Sequence, residues 1–590
     1  MQQHDFDVIV VGGGGAGLRA SIAAASQAPD MKIGLLSKVY PMRSHTVAAE
    51  GGAAAVTLPE DSFQAHIEDT VMGSDWLAEQ GVVDYFVRHA HAELVQMERW
   101  GCPWSRRQDG SIQVRRFGGM KVQRTWFAAD KTGFHMLHTL YQTSLQYQAI
   151  QRLDEYFVLD LVVIDNVIAG VIALQIATGE IKLLRAKSVI LATGGAGRIF
   201  RFNTNGGIVT GDGMAMAYRH GVALRDMEFV QYHPTGLPGS GILITEASRG
   251  EGGILVNKDG YRYLQDYGLG PETPLGQPQN KYMELGPRDK LSQAFWQEQQ
   301  KRRTGKYGDS DVVFLDLRHL GEKYLQERLP FISELANAYV NVDPAKEMIP
   351  VRPAVHYTMG GIMTDAQCET SIKGLYAAGE CASVGLHGAN RLGSNSLTEL
   401  LVFGRLAGEQ AVNNARQTEH ASASAASEQL AQQQQQLASL FERDSGESWS
   451  QIKKEMLQTM EEGCGIYRTE AGMQQTLQHI RQLQQRYQQV AVTDKSKVYN
   501  TELMLCLELG FGLDIAEATC LGALERRESR GAHQRLDEGC TQRNDEQFLQ
   551  HSLVYHQGRD DARLQWQEVD TSLIPPAVRA YGDAAKGAQE

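Results

Sequence analysis

The chain alternates unbroken apolar runs with glycine turns, and amphipathic stretches fill the space between them. Near the N-terminus, "DVIVVGGGGAGLRASIAAA" predicts a strand, a tight turn and an alanine-rich helix. A strand buried on both faces needs no polar alternation, so a short apolar run bounded by glycines fits it. "KIGLLSK" predicts a second strand, "AKSVILATGGAGRIF" a later one, and "IKGLYAAGECA" another. "GEKYLQERLPFISELANAYV" carries a helical period. In "QTEHASASAASEQLAQQQQQLASL" the Ala/Ser part reads as a linker and the glutamine run as the exposed face of a helix. Helical patterns continue to about residue 530, and residues 541–590 read as polar, strand-like and accessory. There is no internal repeat.

The first turn carries chemistry. Gly12, Gly14 and Gly17 satisfy G-x-G-x-x-G between a strand and a helix, the context in which that motif cradles a pyrophosphate at a helix N-terminus. An acidic residue expected at the end of the second strand, to hold an adenosine ribose, is replaced by Ser37 and Lys38. That departure weakens an NAD reading. Strand-then-ATGG and strand-then-GE recur in two-dinucleotide flavoproteins. Here these two strands stand far apart, so one flavin domain is split by an insertion at 238–354 that would cap the flavin. The expected architecture is α/β: a two-dinucleotide, Rossmann-like FAD-binding domain (1–237 and 355–415), an inserted α+β capping domain (238–354), a helical domain (416–540) and a small C-terminal domain (541–590).

Size and composition agree with this. The 590 residues exceed one core, and 42% hydrophobic with 22% charged residues is ordinary for a soluble globular protein. The net charge of −13, from 57 basic and 70 acidic residues, disfavours nucleic-acid binding. The locally basic "WSRRQDGSIQVRR" reads first as a solvated hairpin. No stretch approaches the ~18 apolar residues of a membrane span, and no secretory pattern precedes the first strand, so a cytosolic chain is expected. Seven cysteines form no C-x-x-C pair, which argues against a disulfide framework and against an iron–sulfur cluster on this chain. They read as buried apolar residues, except Cys381, which would lie near the flavin.

Polar clusters remain: "RSHTVAAEGG", "VQYHPTG", "ILITEASRGEGG", "ELGPRDK", "VHYTMGG" and "GLHGANRLGSNSL". Singly, each has a bland alternative, such as a satisfied buried histidine or a surface ion pair worth almost nothing. Together and in this order they resemble the flavoprotein subunits of succinate dehydrogenase and fumarate reductase, most closely the enterobacterial quinol–fumarate reductase type. The resemblance runs from about residue 5 to the "ESRGAHQRLDEG" stretch.

The resemblance implies FAD attached covalently through His45, a bond that raises the flavin potential. It implies cofactor contacts from Gly12, Gly13, Gly14, Gly15, Ala16, Gly17, Ser37, Lys38, Ser44, Thr46, Glu50, Gly51, Gly52, Asp212, Glu380, Arg391, Ser396 and Leu397. It implies a dicarboxylate substrate, with His356 and Arg391 on one carboxylate and Thr245 and His233 on the other. Arg288 would deliver a proton, resupplied by Glu246 and Arg249. No resident metal is expected. Glutamate at position 50, where succinate-oxidising members carry glutamine, tilts the direction towards fumarate reduction. Electrons would come from an iron–sulfur subunit on quinol-oxidising membrane anchors, with the chain peripheral at the cytoplasmic face of the inner membrane and a flavin-attachment factor as a further partner. Succinate oxidation is the alternative. L-aspartate oxidase, which binds FAD without a covalent bond, comes next, then a non-catalytic electron carrier, which would need none of the dicarboxylate residues.

Overall fold

The structure, a computed structural model, describes residues 4–269, 283–556 and 563–581. Its central sheet has seven strands. The first strand, His4–Val11, lies between Ile33–Ser37 and Glu180–Leu191, parallel to both. Val8, Ile9 and Val10 are fully buried, as an unbroken apolar run requires. The strands Tyr156–Ile164, Val167–Gln175 and Glu180–Leu191 form an antiparallel meander.

The split of this domain is visible in one pairing. Leu375–Ala377 lies parallel against Val189–Leu191, so the chain returns to the sheet it left. The helix Gly15–Gln27 packs along Asn395–Gln417, which closes the same layer. Between them, the intervening chain builds a separate sheet on Val230–Gly236 and Ile349–Thr358, with Ser310–Asp316 and Ile254–Val256 beyond. A distinct apolar cluster around Leu255, Leu291, Leu315 and Ile332 supports it.

Three sequence expectations change in detail. The Ala/Ser stretch is no linker, because a helix runs Ala423–Glu442; alanine is the strongest helix former. The single helical pattern near 330 is two helices, Glu322–Arg328 and Pro330–Val340, because Pro330 cannot continue the first but suits the start of the second. The sulfur of Cys381 is buried 3.1 Å from the Leu191 carbonyl oxygen, and Cys381 does not line the cofactor cavity. Six of the seven cysteines are buried. The basic run does turn back on itself through an Arg106–Ile112 bridge. The accessory end forms a hairpin, Gln550–Tyr555 with Arg563–Glu568; residues 557–562 and 582–590 lie outside the described residues. Among the described residues no helix is long and apolar enough to cross a membrane.

Candidate active site

A long cavity runs over the C-terminal edge of the central sheet, where open α/β sheets bind ligands. Gly12 to Ala16, Ser37, Lys38, Ser44, His45, Thr46, Asp212, Glu380, Ser396 and Leu397 all line it. Gly17 does not, and its role is packing: a Cβ there would sit 1.8 Å from the Gly12 carbonyl oxygen. Gly12 has φ +123°, and a Cβ on it would meet the Ala192 carbonyl at 2.1 Å. The turn therefore accepts only glycine at both points.

The cradle fits a flavin dinucleotide. Its glycine turn brings no side chain of its own over the start of the helix Gly15–Gln27, whose Gly15 N–H donates to Thr46 Oγ1 at 3.1 Å. The buried Ser44 and Thr193 hydroxyls have no hydrogen-bond partner within the chain. Buried polar atoms of this kind are rare unless a ligand or water completes them.

The odd Lys38 is explained by its surroundings. Its Nζ donates to Thr210 Oγ1 (2.9 Å), Asp212 Oδ2 (2.7 Å) and Glu508 Oε1 (2.8 Å). Burial opposes the charge, but the two carboxylates outweigh it and raise the lysine above its ordinary value. Lys38 thus holds two carboxylates from two other helices, Asp212–Arg219 and Thr501–Glu525, against the end of the second strand.

His45 lies in a short 3-10 turn, His45–Ala48, beside Gly206. The Gly206 N–H donates to Nδ1 at 3.2 Å, which leaves Nε2 as the protonated nitrogen of the neutral ring. Burial, with Arg198 nearby, lowers its pKa to about 4. Burial also pushes Glu50 well above the usual carboxylate range, reinforced by Asp130. Glu380 is half-buried and accepts the Thr358 N–H at 3.0 Å; desolvation raises it to about 7.

A second, smaller pocket abuts the first and shares Ala49, His356, Ser396 and Leu397 with it. His233, Thr245, Glu246, Arg288 and Arg391 line it, together with Glu50, Gly51 and Gly52. The two imidazole rings, His233 and His356, stand 5.1 Å apart. Burial drives both far below the normal histidine value, and Arg288 adds to the effect. Both are neutral hydrogen-bonding groups at pH 7.

The strands explain the placement. His233 comes from Val230–Gly236 and His356 from Ile349–Thr358, which are paired neighbours. Thr245 and Glu246 precede the single turn Ala247–Gly250, and Arg288 opens the helix Arg288–Gln300. Arg288 Nε donates to Glu246 Oε2 at 2.9 Å, and Arg249 Nη2 lies 3.7 Å from the same oxygen. Burial opposes ionisation of Glu246, but Arg288 and Arg249 hold it below its ordinary value. Arg249 lies behind the pocket, and its Nε and Nη2 have no hydrogen-bond partner.

Arg391 donates to Ser396 Oγ at 3.1 Å and lies over the Tyr357 ring at 4.3 Å. Burial, then Arg288, lowers it to about 10.

Sequence reasoning missed Gln231. Its Oε1 accepts from Arg288 Nη1 (3.2 Å) and from Arg391 Nη2 (3.1 Å), a neutral bridge between two like charges. The signal was present: Gln231 stands two residues before His233 in the same strand. Tyr156 and Val158, which line the far end of the long cavity, gave no signal within an apolar run.

Fold and site together define an FAD-binding flavoprotein with a cationic pocket beside its cofactor. A model for an FAD binding domain matches residues 7–397, and one for the fumarate reductase flavoprotein C-terminal part matches residues 453–581. The chain is 63% identical over 590 residues to the fumarate reductase flavoprotein subunit of Escherichia coli, covering 100% of this chain and 98% of the relative. It is 40% identical to the succinate dehydrogenase flavoprotein subunit of Rickettsia bellii, covering 98% of each. The solved E. coli quinol fumarate reductase chain superposes with a TM-score of 0.97 at 64% identity, over 98% of this chain and 99% of that one. The chain belongs to the fumarate reductase/succinate dehydrogenase flavoprotein family.

Proposed function

We propose that this chain is the catalytic subunit of a quinol-linked fumarate reductase, converting fumarate to succinate. The observation that carries the reading is the small pocket in which Arg288, Arg391, His233, His356 and Thr245 converge against the flavin cavity. Two cationic groups and three neutral donors suit the two ends of a dicarboxylate. His356 and Arg391 hold one carboxylate, and Thr245 and His233 hold the other.

FAD, when bound and reduced, supplies the hydride. The chain supplies the rest. The cap residues exclude water and press the substrate against the cavity wall. Arg288 gives a proton to the alkene carbon that does not receive hydride. A guanidinium is a poor acid, with an ordinary pKa above ~12, so it serves only when held against the carbon and resupplied at once. The Glu246–Arg249 pair, 2.9 and 3.7 Å along the chain of contacts, is arranged for that resupply.

His45 would hold the FAD through a covalent bond. Its neutral ring, with Nδ1 engaged by Gly206, supports this assignment. We read the domain limits at 237, 354, 415 and 540; the strand Ile349–Thr358 and the helix Asn395–Gln417 run across the second and third of them, and the chain rejoins the central sheet at Leu375–Ala377. Electrons arrive from a separate iron–sulfur polypeptide on a quinol-oxidising membrane anchor at the cytoplasmic face of the inner membrane, and an attachment factor assists flavin loading. The relatives' naming as flavoprotein subunits supports a multisubunit assembly.

The test is fumarate-dependent oxidation of reduced viologen by the purified, flavin-loaded chain, beside succinate and L-aspartate oxidation. Rapid fumarate turnover with no L-aspartate activity is the expected result. Faster succinate oxidation at matched driving force would reverse the assigned direction, and L-aspartate oxidation would replace the assignment.

A further inference from the structure

The segment after the strand Arg563–Glu568 has no regular structure as far as Tyr581, yet it is firmly tied down. Gly81 N–H donates to Asp570 Oδ2 at 3.0 Å. Gln80 Oε1 accepts the Leu573 and Ile574 N–H groups at 2.8 and 2.7 Å, and its Nε2 donates to the Ile574 carbonyl at 2.8 Å. Arg543 donates to the Ala577 carbonyl at 2.8 Å. Side chains of the FAD-binding part and of the C-terminal part thus do for this strap what a ladder does for a strand. Pro575 and Pro576 stiffen it before its end.

That end reaches the active site. Arg579 forms a two-pronged pair with Asp289, Nη1 to Oδ2 at 2.5 Å and Nη2 to Oδ1 at 3.1 Å. Nη2 also donates to the Gly73 carbonyl at 3.1 Å. The side chains are 6% and 1% exposed, so this is no surface contact. Asp289 directly follows Arg288 at the start of the helix Arg288–Gln300. One guanidinium therefore joins the C-terminal end of the helix Phe63–Gly73 to the first turn of the helix that carries the proton donor.

We propose that Arg579 is a positioning residue: the C-terminal strap latches the first turn of this helix and so fixes Arg288 over the dicarboxylate pocket. The inference rests on the reading of Arg288 as proton donor. The geometry of a planar fork on a carboxylate constrains both distance and angle, which a lysine point charge would not. A misplacement of about 1 Å at a reacting group costs on the order of 100-fold in rate. Substrate affinity depends more on His233, Thr245, His356 and Arg391, which the latch does not touch.

Two variants of the flavin-loaded chain test this. Arg579→Gln breaks the fork. Arg579→Lys keeps a positive charge beside buried Asp289 and so preserves folding if the glutamine variant is lost. The expected result is a fall in kcat of about 100-fold for Arg579→Gln and about tenfold for Arg579→Lys, with the KM for fumarate changed less than about threefold. Amide hydrogen exchange at residues 288–292 should quicken in both. A purely structural role would lower Tm while leaving kcat intact. Folded variants with parental kcat and parental exchange overturn the latch. If the parent itself does not reduce fumarate, the proposed function has failed instead, and exchange at 288–292 alone decides whether the latch exists.

Discussion

Arg288 and Glu246 share a buried hydrogen bond, Nε to Oε2 at 2.9 Å, with side chains 8% and 1% exposed. The pair joins two segments separated by a long stretch of chain, and it leaves Arg288 Nη1 on Gln231. A buried guanidinium held on two neighbours keeps a single orientation, which a proton donor to carbon needs.

Arg288→Gln removes the donor but not the cofactor cradle. General acid catalysis contributes roughly 10²–10⁴-fold, so kcat should fall by about that much while bound flavin, read from its visible absorbance per chain, stays at the parental level. Retained fumarate reduction would remove Arg288 from the role.

His45→Ser should leave FAD bound yet extractable. Acid-denatured parent chain should show a fluorescent band on a gel, with the flavin peptide mapping to His45, and the variant a dark one. A fluorescent band from the variant would place the attachment elsewhere.

Burial, reinforced by Asp130, raises the Glu50 pKa well above the ordinary value and so favours its protonated form in the fold. Such a group favours the folded state fully below the unfolded value, near ~4.3, and that contribution is lost as pH rises towards the folded pKa. Glu50→Gln cannot ionise. Its Tm relative to the parent should therefore climb between about pH 4 and neutrality, and the pH dependence of fumarate turnover should change. A constant difference in Tm across that range would mean Glu50 is ionised in the fold.

Gly17→Ala places a methyl 1.8 Å from the Gly12 carbonyl oxygen. Backbone cannot yield as a flexible side chain can, so the variant should purify with little or no flavin and a lowered Tm. Parental flavin content would show that the turn relaxes.

The motifs legible in the sequence were those in which a few residues do one local job. Strand, glycine turn and helix at residues 8–25 specify a phosphate cradle within a single short stretch. Around His233 and His356 the pairing of the two strands shifts register, so the strand period alone does not fix which side chains share a face. The misread stretches were those where neighbours decide. The Ala/Ser segment carries no amphipathic signal strong enough to separate helix from linker, yet it forms the start of a helix that packs on the antiparallel meander. Cys381 sits beside a cavity residue, but its sulfur turns to the sheet.

The sequence by itself determined the nucleotide cradle, because backbone sterics act over a few positions, while the split flavin domain and the cationic residues were legible only as motifs that resemble a known family. Only the tertiary structure decided the rest. Glu508 meets Lys38, Gln231 bridges Arg288 and Arg391, and Arg579 reaches Asp289. These contacts join segments far apart in the chain, and they form because a buried charge must find a partner wherever the fold brings one.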